Sequence, residues 1–424
     1  MPSPDSIDRP RPTSNTGFST DAMPVAAAIA RMCDGLQPVA AIERVAIRAA
    51  LSRVLAQDVL SPIDVPAHDN SAMDGFAVRG VDLSPQGTTR LEVVGTALAG
   101  EPGGRRIEAG QAMRIMTGAV MPDGADTVIV QEVARMEAGH VILPDGQQTG
   151  QNRRLRGEDL SRDMPALTAG KILTPADLGL LASIGVAEVP VRRRLRVAFF
   201  STGNELRSIG ETLAPGQIYD SNRYTIYGML TAMGADLIDM GVIPDQPQAL
   251  EAAMRAASES ADAVISSGGV SVGEADFTKQ VMNRLGDVDF WTIAMRPGRP
   301  MAFGRVGPAY YFGLPGNPVA VMITFYFLAR EALLELSGAR RQRPVYVSAR
   351  ADQPIRKRPG RSEYQRGVLG HDDAGRPVVS ITGTQGSGVL SSMSTSNCIV
   401  VLHHDQGSVA AGEPVDCLPF EGLL

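Results

Sequence analysis

The chain has 424 residues, more than one hydrophobic core accommodates, so we expect roughly two to four domains. With 44% hydrophobic residues, 20% charged residues and a formal net charge of −6, it gives no reason to expect a nucleic-acid partner. Three widely separated cysteines argue against a disulfide framework or a zinc knuckle. The longest apolar run, Val319–Ala329, is too short to span a bilayer. These features predict a reduced, cytoplasmic protein without a membrane partner.

The first 190 residues combine helical and β-type patterns. Residues 1–20 are rich in Pro, Ser and Thr and lack the apolar stretch of a signal peptide, which predicts a disordered tail. Apolar residues at helical spacing predict helices over Val25–Met32 and Ile42–Ala56. Between residues 66 and 150, short β-type runs separated by Gly and Pro turns predict a small β-rich domain. A short helix is predicted over Pro175–Ile184.

From Leu195 the pattern alternates between strands and helices, which predicts a parallel sheet with helices on both faces. The predicted strands are Arg196–Phe200, Asp236–Val242, Ala263–Ser266, Val288–Thr292 and Tyr310–Phe312, and the predicted helices are Ser221–Met233, Pro247–Glu259, Glu274–Leu285 and Pro318–Leu336. Ser221 and Asn317 suit the N-cap positions of their helices. From about Arg343 onward the helical pattern disappears, and short strands predict a terminal β-domain of about 80 residues.

Four loops with glycine, hydroxyl or carboxylate groups follow predicted strands. They are Ser201–Glu205, Pro244–Asp245, Ser267–Asp276 and Leu314–Pro318. The carboxyl ends of parallel strands meet at one edge of a sheet, where glycine loops approach phosphate through bare amides and carboxylates commonly hold a divalent cation. The pattern therefore predicts a phosphorylated ligand with Mg²⁺ near Glu205, Asp245 and Asp276. The alternative is that the glycines form tight turns and the acids are solvated or cap helices.

Further clusters admit two interpretations. Asp74 lies before a glycine in Asp69–Gly75, which suits a catalytic acid held on a turn, but Asn and Asp there equally suit turn caps. The segments Met116–Ala119 and Arg156–Asp159 are similar and carry little weight alone. Arg340–Arg366 contains nine basic residues. Without a ladder of aromatic side chains, a solvated face or attraction of an anionic ligand is favoured over nucleic-acid binding.

These motifs, in chain order, resemble those of one family. The matching segments are Asp69–Gly75, Ile115–Ala119, Gly157–Asp159, Phe200–Gly203, Gln217–Arg223, Ser267–Lys279 and Leu314–Pro318. From about Asp21 to the C-terminus, the chain is similar to the molybdopterin molybdenumtransferases, a family that includes the C-terminal domain of gephyrin. The long run Ser267–Asp276 is highly specific, unlike a bare glycine fingerprint.

The resemblance implies an α/β plus β fold class with four domains, assembled as an extended homodimer. The implied domains are an elongated helical domain over 21–65 and 151–190, an inserted β-domain over 66–150, an α/β molybdopterin-binding domain over 191–342 with a parallel-type sheet flanked by helices, and a C-terminal β-barrel over 343–424. In this family the active site lies between the α/β domain of one subunit and the first β-domain of the other.

The implied activity is insertion of molybdate into adenylylated molybdopterin with release of AMP, the last step of molybdenum cofactor biosynthesis. The resemblance assigns catalysis to Asp74, Thr117 and Asp159, and Mg²⁺ to Glu205, Asp245 and Asp276. It assigns ligand binding to Ser201, Thr202, Gly203, Ser267, Gly268, Gly269, Ser271, Arg296, Arg299, Pro315, Gly316, Asn317, Pro318 and Ser387. It also implies molybdopterin adenylyltransferase and molybdoenzyme maturation proteins as candidate protein partners.

The chain departs from the family pattern at four positions. Arg296 and Arg299 stand where lysines are usual; an arginine keeps the charge but presents a fork instead of a point. Thr292 replaces a frequent lysine and puts one oxyanion contact in doubt. Asn204 stands where an acid is common beside Glu205, which puts one cation ligand in doubt.

Two other functions compete with this assignment. A binding scaffold of the gephyrin type would need a peptide-binding surface, which no sequence feature reveals, and it need not keep the acids at 74, 205, 245 and 276. The preceding adenylylation step belongs to an enzyme that resembles residues 195–335 alone, and the additional domains argue against it. The sequence does not distinguish molybdate from tungstate as the natural substrate, because the two oxyanions are nearly isosteric.

Overall fold

The computed structural model describes residues 22–101, 105–269 and 275–422, including their side chains except those of 275–277 and 422. The predicted tail, residues 1–20, lies outside the described residues. The chain forms two compact units: the smaller is Glu43–Val191, and the larger joins the segments that end at Ile42 and begin at Arg192. Across the described ranges, no helix is long and apolar enough to cross a membrane. The three cysteines are free thiols.

The larger unit begins with helix α1, Val25–Cys33. Its Ala28 and Met32 are fully buried in the same hydrophobic cluster as Leu333. Beyond the helix, the Val39 N–H donates to the Leu336 carbonyl oxygen at 2.8 Å. The N-terminal segment therefore belongs to a core whose other members lie after residue 192.

The smaller unit is built from short strands and one helix among its described residues. These elements are β1 Ile42–Ala46, β2 Val59–Leu60, β3 Asn70–Ser71, β4 Gly75–Val78, β5 Thr89–Ala97, β6 Gln111–Ile115, β7 Thr127–Val130, β8 Arg135–Glu137, β9 His140–Leu143, β10 Arg153–Arg154, β11 Pro165–Leu167, α2 Pro175–Ser183 and β12 Glu188–Arg192. Six strands form one sheet in the order β7-β4-β6-β5-β9-β8. Strand β4 is buried on both faces, with Phe76 and Val78 in one cluster and Ala77 in another. This burial fixes the position of Asp74 just before the strand.

The helix predicted over Ile42–Ala56 is wrong. Its first residues form β1, which pairs with β12, and a 3₁₀ turn follows at Ile47–Ala49. Backbone N–H groups that a helix would satisfy locally instead donate to distant carbonyls, as Leu55 does to Lys171 at 2.9 Å. Ser52 has φ of 60°, which a right-handed helix does not allow. Long-range pairing therefore overrides the helical spacing, and this part of the chain has less helix than the resemblance implies.

The larger unit continues with a mixed sheet flanked by helices. Its elements are β13 Arg196–Thr202, β14 Leu206–Arg207, β15 Ile218–Tyr219, α3 Ser221–Ala232, β16 Asp236–Ile243, α4 Pro247–Ser260, β17 Ala263–Ser267, α5 Ala275–Leu285, β18 Gly286–Thr292, β19 Met295–Arg296, β20 Pro300–Val306, β21 Ala309–Leu314, α6 Pro318–Thr324 and α7 Arg330–Leu336. The sheet order is β16-β13-β17-β21-β20-β18. Along β13, Val197 and Phe199 face a core with α1, α3 and α6, while Ala198 and Phe200 face a core with α4 and α5. Helices therefore cover both faces, as predicted.

Three details of this sheet domain differ from the prediction. Strand β20, which was not predicted, runs antiparallel to β18 and β21, so only β16, β13, β17 and β21 form a continuous parallel set. The predicted N-cap Ser221 is the first helical residue of α3, and Asp220 is the cap, accepting from the Arg223 N–H. The predicted helix Pro318–Leu336 is interrupted by a π-helical turn at Phe325–Ala329.

The C-terminal segment forms a closed five-stranded barrel. Its elements are β22 Val347–Ala351, β23 Ser362–His371, β24 Pro377–Ile381, α8 Ser391–Ser394, β25 Cys398–Leu402 and β26 Pro414–Pro419. The strands pair in the order β23-β24-β22-β26-β25, and β25 pairs back with β23 to close the barrel. The α/β plus β fold class, with its α/β domain, its β-domain and its C-terminal barrel, is thus confirmed.

Candidate functional site

The carboxyl ends of the parallel strands bring the predicted loops together at one edge of the sheet. In the strand register, Ser201 lies opposite Ser267, and Ser267 lies opposite Leu314. Thr202, at the end of β13, lies opposite Ile243 of β16. The loops after β13, β17 and β21 are therefore immediate neighbours, as the sequence predicts.

The glycines of the loop after β17 allow its backbone to lie directly against the end of β13. Gly268 has φ of 93°, and its N–H donates to the Leu314 carbonyl oxygen at 3.2 Å. A Cβ on Gly268 would stand 2.5 Å from the Thr202 carbonyl oxygen, and one on Gly269 would stand 3.2 Å from Thr202 Cγ2. Only glycine fits this close approach. Ser271, predicted in the same loop, lies outside the described residues.

The first turn of α3 connects the ends of three strands through buried side chains. The Asp220 carboxylate accepts from Ser201 Oγ at 2.9 Å, at the end of β13. Asn222 Nδ2 donates to Ser267 Oγ at 2.8 Å and to the Gly316 carbonyl oxygen at 2.7 Å. The segment Gln217–Arg223 contributed to the resemblance, but no role was predicted for Asp220 or Asn222. The sequence signal that could have indicated them is the run Asp220–Asn222, which places polar residues at the start of a helix directly after the β-type residues Ile218 and Tyr219.

Two of the three predicted cation ligands lie around the loop after β13. Thr202 Oγ1 donates to Asp245 Oδ1 at 3.5 Å. The Asp245 N–H donates to Asn204 Oδ1 at 3.3 Å, so Asn204 keeps the acceptor that the more usual acid would supply. The Glu205 carboxylate lies against Gly203, where a Cβ would approach it to 2.7 Å. Asp276 lies in the first turn of α5, and its side chain is outside the described residues.

No group of three potential metal ligands is found among the side chains that the structure describes. The three-carboxylate arrangement that includes Asp276 therefore stays a prediction.

The predicted arginines lie at the end of β19 and in the tight turn that follows it: Arg296 is the last residue of the strand, and Arg299 lies in the turn. Arg296 is 57% exposed, and its Nη1 lies 3.9 Å from an oxygen of the buried Glu363 carboxylate. Arg299 is exposed, and its carbonyl oxygen accepts from the Ile293 N–H at 2.7 Å. Between them, Gly298 has φ of 95°, and a Cβ there would stand 2.3 Å from Thr324 Oγ1. The backbone of the turn is thus closely packed, while its two guanidinium groups remain accessible to an anion.

Ser387 of the C-terminal barrel domain lies at the start of α6. Its carbonyl oxygen accepts from the Val319 N–H at 3.0 Å, next to Pro318. Arg366, which was not predicted, holds this loop: it is fully buried and donates to the Gly386 carbonyl oxygen and Ser392 Oγ, both at 3.0 Å. Burial, together with the charge of Arg296, lowers the pKa of Arg366 to about 10.

A second cluster, in the smaller unit, contains the predicted catalytic residues Asp74 and Thr117. The Thr117 N–H and Oγ1 both donate to Asp74 Oδ1 at 2.7 Å. These hydrogen bonds, assisted by the charge of Arg114, hold the pKa of Asp74 below its usual range. Asp74 is half-buried and follows the exposed Met73. The arrangement presents a charged carboxylate at the surface of this unit.

The third predicted catalytic residue, Asp159, is exposed, and its N–H donates to the Val65 carbonyl oxygen at 3.1 Å. Nearby side chains form two ion pairs that were not predicted. Arg153 Nε donates to Asp69 Oδ2 at 3.0 Å, and Arg156 Nε donates to Asp64 Oδ2 at 2.6 Å. No pattern in the sequence links these partners, because each pair is more than 80 residues apart.

Comparison with known proteins supports both the fold and the family. Three family profiles match: "MoeA N-terminal region (domain I and II)" over residues 23–185, "Probable molybdopterin binding domain" over 198–335, and "MoeA C-terminal region (domain IV)" over 348–420.

Individual relatives match along most of the chain. A molybdopterin molybdenumtransferase from Haemophilus influenzae is 44% identical over 380 residues, covering 89% of this chain and 94% of that protein. One from Nostoc sp. is 37% identical, covering 88% and 87%. A solved molybdopterin biosynthesis moeA protein from Pyrococcus horikoshii is 28% identical, with a TM-score of 0.79, covering 94% of this chain and all of that one.

Proposed function

Because the chain belongs to the molybdopterin molybdenumtransferase family, we propose that it transfers molybdate to adenylylated molybdopterin and releases AMP. It is a transferase of molybdenum cofactor biosynthesis. The observation that carries the proposal is the glycine and serine loop after β17, which lies between the loops after β13 and β21 at one sheet edge. The scaffold alternative is not favoured, because the curated relatives are named as transferases.

We propose that different residues at this edge bind the phosphates, the molybdate and the pterin of the ligand. The amides of Gly203 and Gly269, with the hydroxyls of Thr202 and Ser271, suit the phosphates. The Gly268 N–H and the hydroxyls of Ser201 and Ser267 already donate within the protein, so we propose that these three residues hold the shape of the phosphate loops. Arg296 and Arg299 supply exposed cations for molybdate. Pro315, Gly316, Asn317 and Pro318, with Ser387 beside them, shape the pterin site.

The carboxylates of this edge fit Mg²⁺ by their chemistry. Carboxylate oxygens such as those of Glu205 and Asp245 are the ligands that a hard divalent cation prefers. Asp276 is the third proposed ligand. When bound there, Mg²⁺ would neutralise charge on the phosphoryl oxygens during release of AMP.

Asp74 acts as a carboxylate in this scheme. An aspartate is ionised at neutral pH, and the lowered pKa of Asp74 extends its ionised form to more acidic pH. The carboxylate is therefore suited to accept a hydrogen bond and orient a water or an oxyanion's hydroxyl. Thr117 holds the carboxylate in place, and we propose Asp159 as a further member of the same site.

The test is AMP release from adenylylated molybdopterin with Mg²⁺, with and without molybdate. We expect molybdate-dependent release by the native chain and a loss of at least about a hundredfold in Asp74→Asn. The matched control is Asp82→Asn, which changes another hydrogen-bonded aspartate of the smaller unit and should keep full activity. Equal release by native chain and Asp74→Asn would remove that residue from catalysis, and absence of release by the native chain would overturn the proposed reaction.

The proposal includes a homodimer in the cytoplasm, with each active site shared between subunits. Molybdopterin adenylyltransferase and molybdoenzyme maturation proteins are the proposed protein partners. These points rest on what the resemblance of the sequence motifs to the family implies. Light scattering on the purified chain tests the proposed homodimer. A measured mass equal to that of a single chain would contradict it.

A further inference from the structure

We propose that Asn222 is a positioning residue that holds the glycine loop and the proline loop at the spacing the pterin ligand requires. The glycine loop is Ser267–Gly269, and the proline loop is Pro315–Pro318. The inference rests on the proposed function, because it concerns the same ligand.

Asn222 is the one described side chain that hydrogen-bonds to both loops. Its Nδ2 has two hydrogens; one goes to Ser267 Oγ and the other to the Gly316 carbonyl oxygen. These partners lie 45 and 94 residues away in sequence, at the ends of different strands. Ser267 Oγ in turn donates to the Pro315 carbonyl oxygen at 3.3 Å. Loss of Nδ2 therefore removes two of the hydrogen bonds that fix the spacing of the loops and leaves the weaker direct contact between Ser267 and Pro315.

The backbone turn that carries Asn222 is itself held in place by hydrogen bonds and an ion pair. Asp220 caps α3 and accepts from Ser201 Oγ, so the turn that carries Asn222 is bonded to the end of β13. Arg223 continues the connection to β16, with its Nε 3.8 Å from Asp239 Oδ1. The first turn of α3 thus contacts the ends or the loops of all four parallel strands, and Asn222 makes the contacts to the two loops.

Unpartnered polar atoms around these loops argue for a role beyond packing. Asn222 is 8% exposed, yet its Oδ1 has no hydrogen-bond partner in the described structure. Thr278 Oγ1 is likewise buried without a partner, and it lies 3.6 Å from where a Cβ of Gly269 would be. Buried polar groups are normally satisfied, and exceptions concentrate at functional sites. An apolar side chain would fill the same space but would leave the Gly316 carbonyl oxygen without the Nδ2 donor, so packing alone does not account for an asparagine here.

The experiment measures the Kd for molybdopterin by calorimetry, together with KM and kcat for AMP release, in Asn222→Ala and Asn222→Asp. The aspartate keeps the size of asparagine but has no Nδ2 hydrogens to donate. The matched control is Asn397→Ala, because Asn397 also bridges distant backbone, through Leu369, but within the barrel.

We expect Kd and KM to rise roughly tenfold in both Asn222 variants, as for the loss of two hydrogen bonds, with kcat changed much less. Asn397→Ala should lower the unfolding temperature without changing Kd. Native-like Kd in either folded Asn222 variant would overturn the positioning role. So would misfolding of both variants beside a folded control, since it would assign Asn222 to stability alone. Native chain that binds molybdopterin without releasing AMP would refute the proposed reaction but not this inference; failure to bind at all would refute both.

Discussion

Asp74 receives two hydrogen bonds from a single residue, Thr117, and both end on the same carboxylate oxygen. The donors favour the charged form, which is why the pKa of Asp74 is lowered. Because the pKa is lower in the folded chain, the contribution of this contact to stability is present above the pKa of the unfolded chain. It is lost as the pH falls through the folded value. The same hydrogen bonds therefore contribute to the loss of stability in acid and are expected to set the acidic limit of the proposed catalysis.

Thr117→Val should move the acidic limb of the pH–activity profile to higher pH. The valine keeps the shape and the backbone donor but removes the hydroxyl donor, so the pKa of Asp74 rises toward its ordinary value. The measurement is molybdate-dependent AMP release from about pH 2.5 to about pH 6, because the ordinary pKa of an aspartate is about 3.9. Thr117→Ser, which keeps the hydroxyl, should retain the native limb. An unchanged limb in Thr117→Val would show that another group controls it.

At the scale of elements, the junctions between strands and loops restrict most strongly which residue types can be accommodated. Gly268 combines a φ of 93° with a Thr202 carbonyl oxygen where its Cβ would stand. Gly228, in the middle of α3, is exposed and has open space around the same position. One substitution, glycine to alanine, thus has opposite consequences at the two places.

Gly268→Ala should destabilise the chain by about 1 to 3 kcal/mol and abolish molybdopterin binding, because the loop must move away from β13. Gly228→Ala should stabilise it by about 0.4 to 1 kcal/mol and leave binding unchanged, since alanine is the better helix former. Denaturant unfolding and calorimetry measure both quantities. A stable, binding-competent Gly268→Ala would show that the close approach to Thr202 is dispensable.

The elements also show which parts of the structure were predictable. Periodicity identified most strands and helices of 195–336, since each buries one regular face in a core, and the order of strands then placed the loops at one edge. Periodicity failed at Ile42–Ala56, where the backbone partners are far away in sequence. It gave no sign of the hydrogen bonds of Asn222 or the ion pair of Arg153, because such contacts depend on the folded path of the chain.

At the scale of the whole molecule, the proposed catalytic groups are divided between two compact units, with Asp74 and Thr117 in one and Glu205 and Asp245 in the other. If the active sites of a homodimer are shared between subunits, two inactive variants can complement each other. Each mixed dimer would contain one site with both changes and one site with neither.

We therefore expect that Asp74→Asn and Glu205→Gln, unfolded together and refolded as an equal mixture, recover up to about a quarter of native AMP release. Either variant refolded alone should stay inactive. The control mixture, Asp74→Asn with an Asp74→Asn/Glu205→Gln double variant, should also stay inactive. Absence of recovery in a mixture that forms dimers would place all four residues of a site in one subunit.

The hydrogen bond between Val39 and Leu336 has a consequence for the order in which the protein acquires its structure on the ribosome. Helix α1 emerges early, but Leu333, in the same cluster as its Met32, is synthesised roughly 300 residues later, after about 15 to 60 seconds of elongation. The smaller unit, contiguous in sequence, completes its own cores in the meantime. The apolar face of α1 is thus translated long before the residues that bury it, and we expect this face to be a binding site for chaperones during synthesis.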